Sequence, residues 1–179
     1  ARRAYKMAKE FVADFDNSFQ NLFFYGDTGV GKTFLSHCIA HDLLDSAHCV
    51  LYFSSFELFD FLAGSAFSRG SDAPDDEPIF DCDLLIIDDL GIERSTEFAL
   101  EQVFNVIDSR YRSKLPLIVT TNMTLEELKN PQDLTRSRIY DRVLERCVPL
   151  RINNQNIRQR NAAESMKEAR KILESGTGT

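Results

Sequence analysis

The chain has 179 residues, 43% of them hydrophobic and 27% charged. That is ordinary for a soluble globular protein, and the length suits one domain with ample chain for a single core. The formal net charge is −7, which argues against a non-specific nucleic-acid binder held by global charge alone. No apolar run approaches the roughly 18 residues of a membrane span. No signal-peptide pattern is seen either, so no membrane partner is expected and the cytoplasm is the default compartment. Cys38, Cys49, Cys82 and Cys147 lack C-x-x-C spacing and read as reduced thiols. The charge is uneven: residues 1–90 carry a balance of −10 and residues 91–179 one of +3. A local basic surface in the second half is therefore compatible with the acidic whole.

In chain order, residues 1–15 read as a helix, because Tyr5, Ala8, Phe11, Val12 and Phe15 recur at three- and four-residue spacing. The short apolar run Leu22-Phe23-Phe24-Tyr25 is a strand. It leads into Gly26-Asp27-Thr28-Gly29-Val30-Gly31-Lys32-Thr33, a complete G-x-x-x-x-G-K-T phosphate loop, and Phe34 continues into an amphipathic helix running to about Asp45. Glycines let successive N–H groups converge on phosphate oxygens, and the helix start adds unsatisfied donors and a positive dipole end. Lys32 is expected to reach the β- and γ-phosphates and Thr33 to ligate Mg²⁺, with Gly26 to Phe34 as the nucleotide-binding set. A plain Gly-rich turn is the alternative, disfavoured by the strand before the loop and the helix after it.

On that helix His37 and His41 lie four apart, with Cys38, His48 and Cys49 near. The spacing matches no zinc motif, and Cys38, Ile39 and Leu43 read as core. Val50 to Phe53 is a second strand, and Ser54 with Glu57 opens a helix through about Phe67. Ser68 to Pro78 reads as a polar surface loop. The four aliphatics Leu84-Leu85-Ile86-Ile87 mark a strand buried on both faces, as in a parallel sheet. It ends in Asp88-Asp89, a Walker B element in which Asp88 holds Mg²⁺ and Asp89 orients or deprotonates the attacking water.

Ser95 opens a helix through about Tyr111 with Leu100, Val103, Phe104 and Ile107 inward. Arg110, Arg112 and Lys114, with Tyr111, form a candidate single-stranded DNA contact, although a solvated helix end explains them equally. Leu117 to Asn122 is a third buried strand, ending where α/β sheets present ligand contacts. Thr124 and Glu127 form another capping box. A helix over about Gln132–Arg146 carries Arg138, Arg142 and Arg146 on one face, an exposed arginine row. Cys147 to Ile152 is the last strand, and a polar helix runs from about Asn156 to Glu174. The whole reads as an α/β three-layer sandwich around a mostly parallel five-stranded sheet.

The set of motifs resembles an AAA+ ATPase of the P-loop NTPase fold, and within that the bacterial helicase loaders of the DnaC/DnaI type and the IstB transposition helpers. It rests on Asn21–Thr33, Leu85–Gly91, Ile107–Tyr111, Val119–Asn122 and Ser137–Arg142. The resemblance implies a P-loop core over 21–152 behind an N-terminal helix (1–20), and a reduced C-terminal helical element over 153–179. It also implies a preceding partner-binding domain absent from this chain. By resemblance, Asn122 is a sensor that places the attacking water. Arg142, or second Arg138, is an arginine finger acting on a neighbouring subunit, and Arg158 or Arg160 is a second nucleotide sensor. The implied activity is slow ATP hydrolysis with Mg²⁺, in a homo-oligomeric open ring or spiral. The implied partners are ATP and ADP, single-stranded DNA and a replicative helicase. Asp89 stands where many AAA+ proteins have Glu, so a nucleotide-controlled adaptor with negligible turnover is the alternative. A metabolic kinase leaves the Thr-Thr-Asn strand end and the arginine helix without purpose.

Overall fold

The structure is a computed structural model that describes residues 2–67, 76–91, 96–131, 134–154, 156 and 166. Five strands form one wholly parallel sheet in the order β2-β3-β4-β1-β5: β1 Leu22–Tyr25, β2 Val50–Ser54, β3 Leu84–Asp88, β4 Leu117–Thr121 and β5 Val148–Arg151. Side chains alternate across a strand, so each apolar run serves two cores. Phe23, Leu85, Ile87, Leu117 and Val119 face one layer; Leu22, Phe24, Leu84, Ile86, Ile118 and Leu150 face the other. This two-sided demand is why these strands are continuous aliphatic runs rather than alternating ones.

The first core is closed by α3 Ser55–Phe67, α4 Glu77–Asp81, α5 Glu97–Arg112, α6 Leu125–Lys129 and α7 Leu134–Arg146; the second by α1 Arg2–Ala13 and α2 Lys32–Asp45. Helix α1 turns Ala4, Ala8 and Phe11 inward, at four- and three-residue spacing, and packs on α2 and β5. It ends at Ala13, two residues short of the expected end, and Phe15 nonetheless remains in the core by packing edge-on against Phe11. Both capping boxes form. Ser54 and Glu57 exchange hydrogen bonds ahead of α3, and Thr124 and Glu127 do so ahead of α6. Donation from the cap residues, backbone N–H first, holds Glu57 and Glu127 below the usual carboxylate range.

Three expectations are corrected. Pro78 is not in a surface loop but in the first turn of α4, which anchors Ile79 in the core. Pro suits that position because it needs no N–H there. Arg110 is not part of a DNA-contacting surface. It is 1% exposed, its guanidinium donating to the carbonyls of Ile79 (3.0 Å), Cys82 (2.9 Å) and Pro116 (2.9 Å). A short helix end with orphan carbonyls attracts a cation, and α5 supplies it. Nor is the arginine row of α7 exposed throughout. Arg142 lies over the Phe104 ring at 5.3 Å and Arg146 over the Tyr111 ring at 3.8 Å, their side chains 25% and 23% exposed. Helix α7 packs against α5, so two of the three charges stack on aromatic faces. The loop over 68–75, Ser95, residues 132–133 and most of the expected last helix lie outside the described residues.

Candidate nucleotide site

Strand order assembles the site. The neighbours of β1 are β4 and β5, and Tyr25 is in register with Thr121. The chain therefore leaves the sheet at Gly26 and at Asn122 side by side. On the far side of β4 lies β3, and Ile87 in register with Val119 sets Asp88 abreast of Thr120. Three segments far apart in sequence meet at one carboxyl-terminal sheet edge, where parallel sheets bind ligands.

The loop needs its glycines. Gly26 has φ +142° and sits against the Ile152 carbonyl, so a Cβ there would collide with backbone. Gly29 has φ +82° and faces the Asn156 side chain, whose Nδ2 donates to the Thr28 carbonyl at 3.1 Å. Lys32, only 4% exposed, opens α2 and donates to the Gly26 carbonyl at 2.8 Å, the Asp27 carbonyl at 2.9 Å and Asn122 Oδ1 at 2.6 Å. Val30 is buried under the loop, and Phe34 projects into solvent from the first turn of α2. A cleft of about 300 Å³ opens between Gly26 and Asp27 on one side and Asn122 to Glu126 on the other, with Arg151 on its lining.

Asp88 is 6% exposed and has no ion-pair partner among the described residues. Its carboxylate accepts from the Thr33 hydroxyl, at 3.0 Å to Oδ2, and from the Thr120 hydroxyl. Burying a carboxylate costs several kcal/mol even after relaxation. Two hydroxyl donors, at about 1.5–3 kcal/mol each for a charged acceptor, offset part of this. The remaining demand is for positive charge. The local donor set, one carboxylate and one hydroxyl, is all oxygen and suits a hard cation such as Mg²⁺. The residues thus fit the metal expected from the sequence.

Asp89 adopts φ +57°, a left-handed conformation that Asp tolerates better than most side chains. Neighbours hold it there: its N–H donates to Thr120 Oγ1 at 3.0 Å, and its carbonyl accepts from Ser55 Oγ at 2.9 Å. Asn122 Nδ2 donates to Asp89 Oδ1 at 3.0 Å. The orientation of the Asn122 amide is therefore dictated from both ends, since its oxygen must face an ammonium and its nitrogen a carboxylate. One amide joins the phosphate-loop lysine to the second acid of β3.

Residues 4–165 match the family described as IstB-like ATP binding protein. The chain belongs to that family. It is an AAA+ chain of the DnaC/DnaI and IstB-like group. It is similar to the replicative helicase loader DnaC of Escherichia coli K12, 27% identical over 143 residues, covering 78% of this chain and 56% of that protein. It is also similar to the replicative helicase loader DnaI of Bacillus subtilis 168, 26% identical over 167 residues, covering 82% of this chain and 52% of that protein. A crystal structure of DnaI matches with a TM-score of 0.70 at 26% identity, over 87% of this chain and 82% of that one. The chain spans about half the length of these curated relatives.

The arginines expected in this AAA+ site have different standing. Arg142 is engaged within the chain, its Nε 3.4 Å from Asp108 Oδ1 and its Nη1 3.1 Å from Glu145 Oε2. Arg138, one turn earlier on α7, is exposed and has no ion pair among the described residues. Arg158 and Arg160 lie outside the described residues. The histidines on and just after α2 do not converge: His37 packs on the Tyr52 ring, His41 pairs with Asp45, and His48 pairs with Asp16. Sequence reasoning missed Thr120, Ser55, Tyr52 and Asn156. Thr120 alone carried a signal, a hydroxyl that with Thr121 closes a strand begun by three aliphatics.

Proposed function

We propose that this IstB-family chain hydrolyses ATP and uses the alternation of ATP and ADP as the switch in loading a replicative DNA helicase onto single-stranded DNA. The observation that carries the reading is the Asn122 amide, with its oxygen on Lys32 and its nitrogen on Asp89. The backbone N–H groups of 26–33 bind the phosphates, and the Lys32 ammonium turns from its carbonyl acceptors to the γ-phosphate. Asn122 then has its oxygen free to align a water, while its nitrogen keeps Asp89 in place. Asp89 takes the proton as that water attacks the γ-phosphorus and ADP leaves. Thr33 and Asp88 would hold Mg²⁺, which would supply charge neutralisation at the phosphates.

Arg138, exposed and without an ion pair among the described residues, is better suited than Arg142 to act on the site of a neighbouring subunit in an open ring or spiral. The curated names of the DnaC and DnaI relatives support the loader role. The family description favours a second reading, an IstB-like ATPase that remodels DNA for transposition.

Phosphate release at saturating ATP, with and without a single-stranded oligonucleotide, tests the reading. Assembled wild type is expected to exceed Lys32→Ala, and Arg138→Ala to lose on the order of 10³ in turnover, the scale of an arginine finger. Mixing the two variants restores activity in part, because one supplies the seat and the other the arginine. Wild type no faster than Lys32→Ala refutes the enzyme and leaves the adaptor. The protein retained on the full-length product in a pull-down, helicase or transposase, separates the two roles.

A further inference from the structure

Beside the Thr33–Asp88 pair stands a buried hydroxyl that the scheme above does not use. Tyr52 lies on β2, in register with Ile86 of β3, and Ser54 is in register with Asp88. Paired residues direct their side chains to the same face, and each face recurs every second residue. Tyr52 therefore shares the α2 face with Ile86 and Asp88. Its ring packs on His37 with 4.5 Å between centroids, and His37 is one helical turn beyond Thr33. The ring is thus bracketed by the same two elements that bring Thr33 and Asp88 together.

The Tyr52 hydroxyl is closed off from solvent and has no fully formed hydrogen bond among the described residues. A phenol is a hydrogen-bond donor at neutral pH; burial, and next hydrogen bonding toward the Asp88 carboxylate, push the Tyr52 pKa still further up. The Asp88 carboxylate lies at the margin of hydrogen-bond reach and acts on the hydroxyl through that approach as well as through its charge, without the full geometry of a formed bond. The carboxylate has capacity for it, offering about four lone-pair sites against donations from Thr33 and Thr120. An unmet buried donor next to such an acceptor favours a small movement that joins them.

We propose that Tyr52 is a positioning residue of the magnesium seat, its hydroxyl closing onto the Asp88 carboxylate when magnesium nucleotide binds and so fixing that carboxylate's rotation. The proposal rests on the reading of Thr33 and Asp88 as the metal seat. Donors in this position orient a ligand carboxylate without touching the metal, and their loss typically lowers metal affinity by about 10–100-fold.

Tyr52→Phe keeps the ring against His37 and removes only the hydroxyl. Binding of a fluorescent N-methylanthraniloyl-ADP is followed by anisotropy, in EDTA and across a magnesium chloride series. The expected result is an affinity in EDTA equal to wild type and a half-saturating magnesium concentration raised about tenfold. The nucleotide-free melting temperature should not fall, because an unmet buried donor has been removed. An unchanged magnesium midpoint overturns the proposal, as does an equal loss of affinity with and without magnesium, which marks a packing role. Wild-type binding that ignores magnesium overturns the metal seat itself, and Tyr52's role with it.

Discussion

Truncating Arg110 separates a structural arginine from a DNA-contacting one. Its side chain spans the gap between α4 and the turn before β4, donating to the Ile79, Cys82 and Pro116 carbonyls at 2.9–3.0 Å. Arg110→Ala removes the guanidinium from all three carbonyls and leaves Pro116 only the longer bond from the Leu85 N–H, at 3.3 Å. Charge-assisted hydrogen bonds contribute about 1.5–3 kcal/mol each, a gross loss of several kcal/mol. Against this stands the relief of no longer burying a guanidinium, which is itself several kcal/mol. Breaking a buried charged network by removing one partner costs about 3–5 kcal/mol net. For a chain of this size each kcal/mol shifts the melting temperature by about 2–4 °C, so the midpoint should fall by about 10 °C. Thermal unfolding by circular dichroism measures this. Arg110→Lys should recover only part of it, since a single ammonium cannot match a planar fork that reaches acceptors on both sides. Below its melting transition, Arg110→Ala should bind single-stranded DNA as wild type does. A variant that melts within about 2 °C of wild type, below the shift expected for even 1 kcal/mol, refutes the structural assignment. So does a variant that keeps its stability and loses DNA binding.

Two further outcomes follow from the site and its surroundings. Gly29→Ala forces a Cβ onto a left-handed backbone and into the Asn156 side chain. Differential scanning fluorimetry should record a loss of about 1–2 kcal/mol in stability, and titration with ADP a much larger loss of affinity, because the strained segment is the phosphate seat. His48 Nε2 lies 2.9 Å from Asp16 Oδ1, and that hydrogen bond raises the His48 pKa above 6.5. A raised folded-state pKa stabilises fully below the unfolded value and is lost as pH rises through the folded one. The melting-temperature advantage of wild type over His48→Gln should therefore shrink between about pH 6 and pH 8; an advantage that grows over this interval contradicts the pairing.

Much of the chain could be read locally because its signals are local. The phosphate loop announces itself in eight consecutive residues. The aliphatic runs at 84–87 and 117–119 demand burial on both faces, and so a parallel sheet between helical layers. The capping boxes at Ser54 and Thr124 are four-residue signals, and both form. Helix α4 escaped because five residues hold too little periodicity to register. The fate of the arginines escaped for another reason. Arg110, Arg138, Arg142 and Arg146 are the same residue on similar helices, and only the packing of α5 against α4 and α7 makes one a buried clamp, two of them covers for aromatic rings, and one an exposed cation.

The sequence by itself determined that this chain has a complete phosphate-loop motif between a strand and a helix, a pair of acids at a buried strand end and a strand ending in Asn122, since each is written in contiguous residues. Only the tertiary structure decided what those pieces do to one another. The order β3-β4-β1 makes Asn122 the neighbour of both Lys32 and Asp89, and the pairing of β2 with β3 brings Tyr52 to Asp88. Such contacts span 33 to 90 residues and depend on which strands lie side by side, a choice made by the collective packing of two cores rather than by any one segment.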